Sequence, residues 1–106
     1  MMNTYKTKSP VLFLIFNRPD TTIRVFNEIR AAKPSRLYIA ADGPRADREG
    51  EILRCNEALS VISQIDWDCK VEQLIRTSNL GCKNAVSSAI DWFFENEEEG
   101  IIFPAL

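Results

Sequence analysis

The chain has 106 residues, enough for one domain built around one hydrophobic core. It is 45% hydrophobic and 26% charged, with a formal net charge of −2. That balance is ordinary for a globular chain and has the wrong sign for one whose main partner is nucleic acid or an anionic membrane. The absence of histidine removes the commonest general base and the commonest zinc ligand together.

Three cysteines, Cys55, Cys69 and Cys82, are odd in number, far apart and without a CxxC pair. They read as thiols in a reducing compartment rather than as a disulfide framework or metal site. Lys6 and Lys8 before an apolar run mimic a signal peptide, but the run is too short and no small-residue cleavage site follows. No apolar stretch approaches the length that spans a membrane. A cytoplasmic protein with neither a membrane span nor a nucleic-acid partner is expected.

Met1–Ser9 is polar and reads as a frayed lead-in, and Pro10 suits the first position of a strand. Val11–Phe16, VLFLIF, is six apolar residues without interruption. A half-exposed strand alternates, whereas a strand covered on both faces reads as a continuous apolar run, so this is a central strand. It stops at Asn17-Arg18-Pro19, because proline has no N–H for a ladder and restrains the residue before it. Asp20 or Thr21 then supplies a cap for a helix whose inner side carries Thr22, Val25, Phe26, Ile29 and Ala32, and Pro34 ends it.

Arg36–Ala41 is a second buried strand, closed by the turn signal Asp42-Gly43-Pro44-Arg45. A helix over about Asp47–Ile65 follows, with Ile52, Cys55, Leu59, Ile62 and Ile65 as its stripe and Gly50 weakening its first turn. Lys70–Arg76 holds Glu72 and Gln73 and reads as an edge strand. Thr77–Gly81 leads into a helix over Cys82–Asn96 with the stripe Val86, Ala89, Ile90 and Phe93. Glu95, Glu97, Glu98 and Glu99 oppose the dipole at its C-terminal end, so that end is expected in solvent. Gly100–Phe103 opens a fourth strand.

The resulting β-α-β-α-β-α-β alternation predicts an α/β fold of three layers, α/β/α, with a mainly parallel four-stranded sheet joined by right-handed crossovers. One domain occupies residues 1–106, and no repeat or linker interrupts it. In such sheets ligands bind beyond the carboxyl ends of the strands. The polar corners Asn17-Arg18-Pro19, Asp42-Gly43-Pro44-Arg45 and Arg76 with Ser78–Gly81 all fall on that rim. No GxGxxG follows the first strand and no GxxxxGK[ST] occurs, which argues against classical dinucleotide and P-loop chemistry. The acidic pair that a phosphoacceptor receiver needs after its first strand is also absent.

Taken in order, Asn17-Arg18-Pro19, Ile39-Ala40-Ala41-Asp42-Gly43, and Arg76 with Asn79-Leu80-Gly81 and Asn84-Ala85 resemble the N-terminal, nucleotide-binding half of a GT-A-fold glycosyltransferase of the family 2 kind. The resemblance covers Pro10–Phe103 and implies a Rossmann-like half-fold with strand order 3-2-1-4. It implies UDP- or GDP-sugar as partner. Backbone at Phe16, Asn17 and Arg18 would wrap base and ribose, and Asp42 beside Gly43 would accept from the base. Arg45 or Arg76 would approach the diphosphate, and Asn79 with Gly81 would form the third loop beside a helix N-terminus.

In that family the fourth strand runs into an acidic cluster holding a divalent Mn or Mg. Here Pro104-Ala105-Leu106 stands in that place, so the resemblance implies a chain truncated before its metal-binding motif, inactive alone, with no catalytic residue, metal ligand or cofactor of its own. The alternative reading is a non-catalytic α/β domain acting through self-association, as a homo-oligomer joined at the open sheet edge.

Overall fold

A computed structural model describes residues 8–106; most of the lead-in read over Met1–Ser9 lies outside the described residues. Its elements are β1 (Val11–Ile15), α1 (Pro19–Ala32), β2 (Arg36–Ala41), α2 (Glu51–Leu59), a 3-10 helix (Ser60–Gln64), β3 (Lys70–Ile75), α3 (Cys82–Asn96) and β4 (Ile101–Ala105). All three strand pairings are parallel, and the sheet order is β3-β2-β1-β4, the expected 3-2-1-4.

The continuous apolar runs are explained by burial on both faces. Every residue of β1 is buried, as are Leu37–Ala41 of β2. Strand alternation sends Val11, Phe13, Ile15, Leu37, Ile39 and Ala41 to one face, where they pack with Phe26 and Ile29 of α1, Ala58 of α2 and Val61 of the 3-10 helix. Leu12, Leu14, Tyr38 and Ala40 pack on the other face against Ala89 and Phe93 of α3. The sheet is therefore flanked by helices on both sides. No described helix is long and apolar enough to cross a membrane.

β3 is the polar edge, with Glu72 and Gln73 exposed. β4 is the other edge and runs two residues further than expected, through Pro104 and Ala105. The N–H of Ile101 donates to the Pro10 carbonyl, toward β1. Alternation then turns the nitrogen of Pro104 outward, where the ladder needs no donor.

Three local expectations are corrected. Neither Asp20 nor Thr21 caps α1: Arg18 is the N-cap without a side-chain bond, and Pro19 takes the first helical position, where a missing N–H costs nothing. The Thr22 hydroxyl instead donates to the Arg18 carbonyl at 2.6 Å. The helix expected from Asp47 starts only at Glu51, because Gly50 turns the chain at φ 75°. Its buried face is Glu51, Cys55 and Ala58, continued by Val61, while Ile52 is 63% exposed. Of the expected stripe only Ile52 falls outside, with Glu51 taking the inward position instead; Cys55 is buried and Leu59, Ile62 and Ile65 pack against the core.

The acidic end of α3 is the third. Glu95, Glu98 and Glu99 are exposed, but the chain leaves the helix in extended conformation at Glu97 and aims its carboxylate at β2. Glu97 accepts both arms of the Arg36 guanidinium at 2.9 and 3.0 Å and the Tyr38 hydroxyl at 2.7 Å. This clasp ties α3 to the start of β2, at the opposite end of the sheet from the polar rim.

The observed helix phase predicts that Ile52→Ser changes stability by less than about 0.5 kcal/mol. Val61→Ala, which empties a core position, should cost about 2 kcal/mol. Urea denaturation of the two variants checks this, and the reverse ranking would restore the apolar stripe as the buried one.

Candidate functional site

The carboxyl ends of β1 and β2 and the first turn of α3 enclose a cleft of about 230 Å³. It is lined by Phe16, Asn17, Arg18, Asp42, Arg45, Cys82, Ala85, Val86 and Leu106. Five expected site residues, Phe16, Asn17, Arg18, Asp42 and Arg45, thus share one cavity. Arg76 and Asp42 line an adjoining cavity of about 20 Å³, the scale of one water molecule. Gly43, Asn79 and Gly81 do not line the cleft; they build the wall behind it.

Two carboxylates organise that wall. Asp42 Oδ1 accepts from the backbone N–H groups of Gly43 and Leu80, both at 2.9 Å, and Oδ2 accepts from Asn79 Nδ2 at 3.0 Å. Asn79 Nδ2 also donates to the Gly43 carbonyl at 2.8 Å, and Asn79 Oδ1 receives the Gly81 N–H at 3.0 Å. The loops after β2 and β3 are so close that a Cβ on Gly43 would lie 2.6–2.7 Å from backbone atoms of Ser78. Asp42 was expected to meet a nucleobase. Three of its roughly four acceptor positions already serve the protein, leaving one for a ligand.

The second carboxylate is Glu51, fully buried and missed by sequence reasoning. Its Oε2 accepts from the Arg45 backbone N–H at 2.7 Å and from Arg45 Nε at 2.9 Å. Its Oε1 accepts from Arg45 Nη2 at 2.6 Å and from Asn17 Nδ2 at 3.0 Å. Arg54 stands 3.9 Å from the same oxygen. The Arg45 guanidinium also lies over the Phe16 ring, 5.6 Å from its centroid. The bidentate Arg45 bonds, joined by those from the Arg45 backbone and Asn17, hold the Glu51 carboxyl down at about 2 against the opposing effect of burial. The sequence carried no signal for it, since a glutamate in the first turn of a helix normally reads as a dipole complement.

Neither arginine expected at a diphosphate is uncommitted. Arg45 is held by Glu51, and Arg76 Nη2 donates to the Ser88 hydroxyl at 3.0 Å. Arg18 lines the cleft and its side chain has no hydrogen-bond or ion-pair partner among the described residues. Among those residues no group of three or more Cys, Asp or Glu is placed to hold a metal ion. With three acceptor positions of Asp42 taken by amide donors and Glu51 filled by Arg45 and Asn17, the residues present do not fit a divalent clamp. Compared with protein-family models, curated proteins and solved structures, the chain matches none.

Glu51 and Glu97 both sit below their ordinary range in the folded chain, Glu97 because of the Arg36 hydrogen bonds first. The contribution of Glu51 is complete above about pH 4.5 and is lost as pH falls toward 2, and that of Glu97 is lost in the same direction, on acidification. Tyr38, pushed up to about 12 chiefly by burial, stabilises the fold below pH 10 and loses that contribution only as pH rises toward 12. Urea melts from pH 7 to 2 should therefore show an acid decline that is shallower in Glu51→Gln; an unchanged decline would deny Glu51 this role. Gly43→Ala should cost about 1–3 kcal/mol through the clash with Ser78, read as a lowered urea midpoint.

Proposed function

We propose that this chain is the nucleotide-binding unit of a nucleotide-diphospho-sugar glycosyltransferase of the GT-A kind, and that its cleft takes the UDP or GDP portion of the donor. One observation carries this: the loops after β1 and β2 bring Phe16, Asn17, Arg18, Asp42 and Arg45 to a single cavity at the carboxyl edge of a parallel sheet. Its lining mixes apolar walls with a few polar groups, the pattern of small-molecule sites. At about 230 Å³ it lies just below the ~300–1,000 Å³ typical of such pockets, the scale of a base with its ribose.

The roles follow from what each group has left to offer. The Phe16 ring and its Arg45 partner form a flat wall for a base. Asp42 keeps one acceptor position for a base N–H. Arg18, the cleft's uncommitted cation, is the group for phosphate oxygens, displacing Arg45 and Arg76 from that assignment. No catalytic role is assigned to any residue, and no step is routed through a metal. The three thiols agree with the cytosolic setting of such a donor.

Thermal melts with UDP, GDP, uridine and guanosine test the reading. A ligand at about 100 times its Kd should stabilise the fold by about 2.7 kcal/mol. Arg18→Ala should weaken the diphosphate by roughly tenfold and leave the nucleoside unchanged. No shift with any of the four at millimolar concentration would end the proposal.

A second reading, self-association, rests on Ile101 and Ile102 of edge strand β4, which are 42% and 36% exposed. Pro104 leaves that edge one donor short. Sedimentation decides it: a monomer at high concentration excludes this route.

A further inference from the structure

We infer that Glu51 is a positioning residue that latches the cleft: one buried carboxylate fixes the β1 and β2 loops relative to each other, and the cleft's affinity for a nucleotide depends on it. The inference deepens the reading above and rests on it for the identity of the ligand.

The geometry is specific. Asn17 and Arg45 line the cleft from different loops, 28 residues apart in sequence, and both donate to Glu51, which does not line it. Four hydrogen bonds converge on this carboxylate, one from the β1 loop and three from Arg45. Its side chain is completely shielded from solvent, so bulk water cannot replace a lost donor. The arrangement also explains an otherwise costly choice. Turning Glu51 inward left Ile52 and Leu53 exposed, at 63% and 62%. A helix built only for stability would bury those instead.

The latch acts on shape without touching a ligand. Arg45 kept over the Phe16 ring and Asn17 held by the same carboxylate present the wall of the cleft already formed, so a ligand need not order them on binding. Releasing the carboxylate frees a long guanidinium and the turn after Asn17 in the same event. The neighbouring charges are few: Arg45 at hydrogen-bond distance and Arg54 at 3.9 Å.

The test compares Glu51→Gln with Val61→Ala, a destabilising core variant that does not line the cleft. Three NMR reporters sit on the latch itself: the Arg45 amide, the Arg45 Nε–H and the Asn17 side-chain amide. In Glu51→Gln all three should exchange with water at least tenfold faster than in Val61→Ala, and UDP or GDP should bind at least tenfold more weakly. Equal exchange in both variants overturns the latch, whatever the nucleotides do. Faster exchange with unchanged nucleotide affinity overturns its role in the cleft. If the unmodified protein binds no nucleotide, the ligand assignment fails while the exchange comparison still decides the latch. Should Glu51→Gln not fold, native-state exchange of the unmodified protein substitutes. Opening of all three reporters at one free energy supports a single latch, and opening at separate free energies overturns it.

Discussion

A carboxylate withdrawn from water is costly unless donors meet it, and the rim of this molecule is arranged around two that are met in this way, Glu51 fully buried and Asp42 partly so. Glu51 is satisfied by the β1 loop and the β2 loop together. Asp42 is satisfied by the β2 loop and the β3 loop together. The two anions therefore chain three loops in series, with the short segment Asp42–Arg45 shared between them.

That arrangement presupposes the sheet. β1 and β2 are buried on both faces, so their register cannot slip without exposing an apolar side chain or burying a polar one. Parallel pairing brings the ends of β1, β2 and β3 to one rim, and hydrogen bonds carry the ladder slightly beyond the strands: Asp42 N–H to the Ile15 carbonyl, Arg76 N–H to the Ala41 carbonyl. The opposite end is secured by Glu97 with Arg36 and Tyr38. Each end of the molecule thus carries an acid–arginine clasp, one opposite the cleft and one behind it. Exposure separates them: Glu51 is wholly buried and Glu97 keeps 11% of its side chain in solvent.

Most of the fold was legible because it depends on burial, which leaves a pattern in residue type. Val11–Ile15 and Leu37–Ala41 are apolar because both faces are covered, and Glu72 with Gln73 marks an edge. Pro34 and Gly81 punctuate correctly because their backbone restrictions are local. What was hidden depends on partners far away in sequence. Nothing about Ile52 reveals that a glutamate one residue earlier turns inward, since the donors that draw it in lie 6 and 34 residues back. Glu97 was invisible within its acidic run for the same reason: Arg36 and Tyr38 are about 60 residues away. The corners of the site were legible as loops sharing a rim, while the division of labour within them was not.

That division settles which groups remain for a ligand. An arginine in a loop is an anion site only if no acid of its own claims it. Arg45 and Arg76 were the better candidates by position, and both are engaged, one by a carboxylate and one by a serine. Arg18 is left without a side-chain partner among the described residues, which is why the proposal gives it the phosphate, and its place as N-cap of α1 favours the same choice. The first N–H groups of that helix carry partial positive charge toward the same corner, although Pro19 removes one of them. By the same logic Asp42, the acid that lines the cleft, has only one acceptor position left, and any further use of its oxygens would cost a hydrogen bond to the β2 or β3 loop. The two acids of this rim are thereby committed mostly to the loops they join.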